Sequence, residues 1–126
     1  MSGFLTPYRV ELLEVRGDVE WWRLLAPLRY ASDLAGRAIT VPADFEHDGE
    51  SVPRRIWSFT GGPPCRRSGT LHDWLYDNQA IDGEPIERDL ADLIYEEACI
   101  SEGLDPIYAR QRYNSVSVYG ESHWAS

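Results

Sequence analysis

His72 and Tyr76 stand one helical turn apart in Leu71-His72-Asp73-Trp74-Leu75-Tyr76, and Asp92 follows in Arg88-Asp89-Leu90-Ala91-Asp92. Residues three or four apart share a helix face, so His72 and Tyr76 point the same way while Asp73 lies about a quarter-turn aside. Trp74, Leu75 and Tyr95 surround this polar set with apolar surface, and burying it is costly unless its members satisfy one another. A second segment offers a further carboxylate, and adjacent antiparallel helices could bring its Asp92 to His72. The resulting group is either a structural network or a site.

The rest of the sequence supports one folded domain over residues 1–126. A hydrophobic fraction of 43% with five Trp and seven Tyr gives it the means to bury a core, which argues against global disorder. A formal net charge of -9 argues against free duplex nucleic acid as the main partner. The basic pairs Arg54-Arg55 and Arg66-Arg67 leave room for a local anionic contact, although acids near them in sequence favour simple surface balancing. Cys65 and Cys99 fit no zinc pattern; one bridge between them or two reduced thiols both satisfy the spacing. The N-terminus has no basic segment followed by an apolar run, and no window approaches the roughly 20 apolar residues of a membrane span. The chain reads as made in the host cytoplasm.

The first 45 residues read as β-rich. Trp21 to Tyr30 and Ala38 to Val41 flank the turn Asp33-Leu34-Ala35-Gly36, which predicts an antiparallel hairpin, with Tyr8 to Val15 as a third strand. Thr60-Gly61-Gly62-Pro63-Pro64 breaks the chain after a helical turn at Arg54 to Phe59. Helices are predicted from about Ser68 to Asn78, from Ile86 to Ser101 with Pro85 at its start, and from Asp105-Pro106 to Tyr119-Gly120. The fold class is α+β, a small N-terminal antiparallel β-sheet or hairpin packed on a C-terminal helical hairpin plus a terminal helix.

Three constellations carry chemistry. A carboxylate on the far nitrogen of His72 would fix its tautomer and stabilise its charged form, as a general base requires; Asp92 fits that role, with Tyr76 bonding the same carboxylate. The bland counterpart is a histidine packed beside the Gly-Pro turn. Asp73 could bind a divalent cation, with calcium favoured because it takes carboxylate and carbonyl oxygens, which the Gly61-Gly62 stretch could supply. Its bland role is to complement the helix dipole or to pair with Arg66 or Arg67. In Asp44 to Pro53, Ser51 suits a cap, whereas Asp48 could join the His72 site as a second metal ligand. His47 and His123 lack supporting patterns.

Two resemblances follow from these motifs. Val41-Pro42-Ala43-Asp44-Phe45, Asp48-Gly49-Glu50-Ser51-Val52-Pro53-Arg54, Leu71-His72-Asp73-Trp74-Leu75-Tyr76 and Arg88 with Ala91-Asp92 together resemble a tailed-phage and prophage family of unknown function. That likeness covers nearly the whole chain. It implies a phage or prophage origin and brings no established activity; on that origin we expect a late or virion-associated protein whose partners are other phage proteins. Over about Gly61 to Gly103, His72-Asp73 with Tyr76, Asn78 and Asp92 is also similar to phospholipases A2. This implies His72 as the base, Asp73 as a calcium ligand, Tyr76 and Asp92 as support, and a cell-envelope ester or amide, such as phospholipid, as substrate. The disulfide lattice and the calcium-loop pattern of those enzymes are missing. A non-catalytic part of a tail or particle is the alternative, with the His-Asp-Tyr network holding helices together.

Overall fold

The computed structural model describes residues 1–17, 19–47, 65–120 and 124, with only the backbone of Tyr119. The predicted α+β class holds: antiparallel strands fill the N-terminal part and three helices the C-terminal part. The strands are β1 (Gly3–Phe4), β2 (Val10–Arg16), β3 (Val19–Leu24), β4 (Leu28–Ser32), β5 (Arg37–Val41) and β6 (Glu46–His47). They form two three-stranded sheets, ordered β1-β4-β5 and β2-β3-β6.

This arrangement corrects the predicted hairpin. Trp21 to Tyr30 is not one strand but two, β3 and β4, which belong to different sheets. Pro27 between them has a fixed φ and no N–H to give a ladder, so pairing stops there. The hairpin itself joins β4 to β5 with Tyr30 opposite Ile39, and Gly36 closes its turn at φ 69°. The segment from Tyr8 to Val15 does contain a strand, β2, but its partner is β3.

The helices are α1 (Arg66–Asn78), α2 (Arg88–Ser101) and α3 (Pro106–Gly120), with β7 (Ala80–Ile81) and β8 (Glu84–Pro85) between the first two. Pro85 therefore ends a small hairpin and does not begin α2. Asp82 and Gly83 supply two successive positive φ angles, 51° and 81°, which a tight turn between twisted strands requires. The N-terminus of α1 is capped from outside. Cys65 offers no side-chain cap, and Glu102 instead accepts from the Ser68 backbone N–H at 3.0 Å and from the Ser68 hydroxyl.

Leu71 and Leu75, on one face of α1, join Ile94 and Ala98 of α2 against Leu24, Leu28, Tyr30, Ile39 and Val41 of the strands. Glu97 pins this contact by accepting from Tyr30 Oη at 2.8 Å, Ser32 Oγ at 2.8 Å and the Leu34 N–H at 3.0 Å. A second apolar cluster of Cys65, Tyr95, Cys99, Leu104, Ala109 and Val116 seals α2 against α3. Cys65 and Cys99 are buried thiols and form no bridge. No described helix is long and apolar enough to cross a membrane.

Candidate functional site

The antiparallel return of α2 places Asp92 against His72. Their Nε2 to Oδ1 distance is 2.8 Å, and Tyr76 Oη donates to the same oxygen at 2.7 Å. An ionised carboxylate only accepts, so this pattern assigns the proton to Nε2 and leaves the basic lone pair on Nδ1. The other carboxylate oxygen accepts from Ser117 Oγ at 3.4 Å and lies 3.7 Å from Arg88. Arg88 also donates to the Ser117 carbonyl at 2.7 Å, which ties the carboxylate to α3.

Packing holds the imidazole as firmly as the bonds do. Tyr76 and Tyr95 pack against it as tilted rings at centroid separations of 4.3 and 4.9 Å, and Trp124 meets Tyr76 edge-on at 5.0 Å. His72 is 3% exposed and Asp92 1%. Burial, reinforced by the hydrogen bond to Asp92, pushes the Tyr76 phenol well above its ordinary value, and nearby Arg88 only partly opposes this. Gly120 gives the phenol room: a Cβ there would run into Tyr76 Oη and approach Cζ to 2.8 Å.

The structure thus brings His72, Tyr76 and Asp92 together as predicted. Asp73 lies on another face of α1, half-buried toward Tyr8. Burial raises the Tyr8 phenol, and the Asp73 charge adds to that rise. Asp48, Ser51, His123, the turn at Arg54 to Phe59 and the Gly61-Gly62 carbonyls lie outside the described residues. Among the described residues, no three His, Cys, Asp or Glu side chains gather as a metal would need. The basic pair at the start of α1 is balanced locally. Arg66 lies over the Trp22 ring and 3.9 Å from Glu20; Arg67 lies over Phe4 and 3.9 Å from Glu102.

Sequence reasoning missed a second polar group. His47 is buried, stacks on Phe45, and approaches Thr70 Oγ1 with Nδ1 at 3.2 Å. Thr70 also meets Tyr8 Oη at 2.9 Å and donates to the Arg66 carbonyl at 2.9 Å. A hydroxyl has one proton, so Tyr8 and His47 act as the donors to Thr70. The available signal was Thr70 two residues before His72; its partners are 62 and 23 residues away and left no local trace. Arg88 was visible within its motif, but its bond to the Ser117 carbonyl was not.

A family model for proteins of unknown function, DUF1353, matches residues 22–116. The chain belongs to this family. The match spans His72, Tyr76, Arg88 and Asp92, so the whole His-Asp-Tyr group of this DUF1353 protein falls within it. Gly120 and Trp124, which support Tyr76, lie beyond the matched segment. No curated protein and no solved structure matches the chain.

Proposed function

We propose that this DUF1353 chain is a phage- or prophage-encoded, virion-associated hydrolase whose general base is His72. The observation that carries the reading is the 2.8 Å bond from His72 Nε2 to an Asp92 oxygen that Tyr76 also holds. Asp92 fixes the tautomer, so Nδ1 is the nitrogen that takes a proton from water. As His72 becomes charged, the adjacent carboxylate stabilises the imidazolium. Tyr76, Ser117 and Arg88 hold the carboxylate in place, which makes them positioning residues. The substrate class is an ester or amide of the cell envelope, with phospholipid as one candidate.

A divalent cation, calcium by preference, belongs to the same reading. Asp73 is its described ligand and Asp48 the second, and when bound it would stabilise developing negative charge. The described residues alone do not complete such a site, so the proton chemistry above stands without it. Calorimetric titration of chelator-stripped protein should show one calcium site that Asp73→Asn removes. Absence of binding in the wild type would discard the cation.

The main test is hydrolysis of phospholipid vesicles and short-chain esters by wild type, His72→Gln and Asp92→Asn. Turnover should fall by at least about 100-fold in His72→Gln protein that still unfolds cooperatively. A wild type that turns over none of these substrates would overturn the hydrolase reading. The near-complete burial of His72 favours the second reading, a structural part of a tail or particle. In that case, His72→Ala would block assembly or folding without removing any activity.

A further inference from the structure

Tyr76 is the least buried member of the His72 group, 9% exposed against 3% for His72 and 1% for Asp92. Its hydroxyl donates at 2.7 Å to the same Asp92 oxygen that His72 holds. A hydrogen bond weakens steeply as it bends or lengthens, so this one lasts only while the ring is held on the sides away from His72. The end of α3 holds it there. Ser117, Gly120 and Trp124 follow one another at spacings of three and four, which place residues on one helix face. The Trp124 N–H donates to the Gly120 carbonyl at 2.9 Å, the bond of a helical turn. All three meet the site. Ser117 Oγ lies 3.4 Å from the second Asp92 oxygen, and Gly120 leaves a space where a Cβ would come within 2.8 Å of Tyr76 Cζ. The Trp124 ring stands edge-on to Tyr76, at 86° and 5.0 Å. Aromatic quadrupoles favour that arrangement, so the contact sets an orientation as well as a distance.

We propose that Trp124 is a positioning residue of the His72 site and acts through Tyr76. It holds the phenol on Asp92, and Asp92 thereby keeps its place on Nε2 while Nδ1 takes the proton. The inference rests on His72 as the general base. Without the Trp124 edge the Tyr76 ring can tilt away, Oδ1 loses one of its two donors, and the carboxylate is free to turn off the imidazole. Trp124 makes its contact from outside the fully buried core: it is partly buried against the main apolar cluster, and the second cluster ends on α3 at Val116. It also lies beyond residues 22–116, so the segment matched by the family holds His72, Tyr76 and Asp92 without the ring that backs Tyr76. Its contact is with Tyr76 rather than with a reacting atom, so its loss should lower turnover and leave substrate binding alone.

Hydrolysis of short-chain esters by wild type, Trp124→Ala, Tyr76→Phe and the double variant tests this, together with proton NMR of the Tyr76 hydroxyl, which needs no turnover. Trp124→Ala should lower kcat about tenfold and leave KM within about twofold. In the Tyr76→Phe background the same change should cost less than about twofold, because the bond it protects is already gone. Trp124→Phe keeps a ring edge and should recover most of kcat, whereas Trp124→Leu should not. The hydroxyl proton should exchange with water at least about tenfold faster in Trp124→Ala and Trp124→Leu than in wild type. Equal costs of Trp124→Ala with and without the Tyr76 hydroxyl would overturn the proposal. So would unchanged exchange in whichever of the Ala and Leu variants still melts cooperatively. A wild type that hydrolyses none of these esters would remove the base assignment, and the exchange rate would still decide whether Trp124 holds Tyr76.

Discussion

Replacing Gly120 with alanine at the end of α3 should weaken the protein, although glycine to alanine within a helix ordinarily strengthens it by up to about 1 kcal/mol. The new Cβ would lie 2.8 Å from Tyr76 Cζ and 2.9 Å from Cε2, and would meet Oη. Carbon atoms pack at about 3.5–4.0 Å, so the ring must retreat by roughly 1 Å. It has little room, with His72 at 4.3 Å on one side and Trp124 at 5.0 Å on another. A shift of that size stretches the 2.7 Å bond from Tyr76 to Asp92 beyond useful length. Losing a hydrogen bond to a charged group costs about 1.5–3 kcal/mol. Overpacking costs about 1–3 kcal/mol more. Less the helix gain of about 1 kcal/mol, the net loss is about 1.5–5 kcal/mol. Equilibrium urea unfolding of wild type, Gly120→Ala, Tyr76→Phe and the double variant measures it. Tyr76→Phe already lacks the bond, so adding Gly120→Ala should cost less there than in the wild type. A Gly120→Ala protein as stable as the wild type, or more so, would refute the reasoning.

Other outcomes follow from the same contacts. Tyr30 and Tyr76 both have phenols raised above the ordinary value of 10, first by burial and then by the carboxylates of Glu97 and Asp92. A raised folded value gives stability that is complete below pH 10 and lost as pH climbs beyond it. Spectrophotometric titration should therefore show some tyrosines ionising only as the fold opens, and all seven titrating near 10 in folded protein would contradict this. Glu97→Gln keeps one acceptor oxygen for the three donors of Tyr30, Ser32 and Leu34, and should cost about 1.5–3 kcal/mol in denaturant unfolding. Thr70→Val preserves shape but strands the Tyr8 and His47 donors. A loss of about 1–3 kcal/mol is expected, and an unchanged midpoint would count against the Thr70 network.

The helical half was legible because its signals are local. Leu71 and Leu75 repeat at one turn, Gly103 and Pro106 punctuate the chain, and the three helices occupy the predicted segments to within two residues at their ends. The reading of the β half failed where pairing is long-range. Trp21 to Tyr30 looks like one aromatic run, and only the partners β2 and β5 show that Pro27 divides it between two sheets. Asp82-Gly83 is the exception, a local hairpin signal hidden by Pro85, which by itself is equally suited to the first turn of a helix.

The candidate site divides along the same line. The sequence by itself determined that His72 and Tyr76 share a face, because helix geometry sets that from spacing alone. It also required a partner for them, because an unpaired buried polar group is too costly to keep. Tertiary structure alone decided how that partner is held. Arg88 and Ser117 meet at Asp92, Gly120 makes way for Tyr76, and Glu102 caps α1 across 34 residues. It also decided that His47, unremarkable in the sequence, is buried against Thr70. Such contacts depend on where separate elements come to rest, and no periodicity within one element records that.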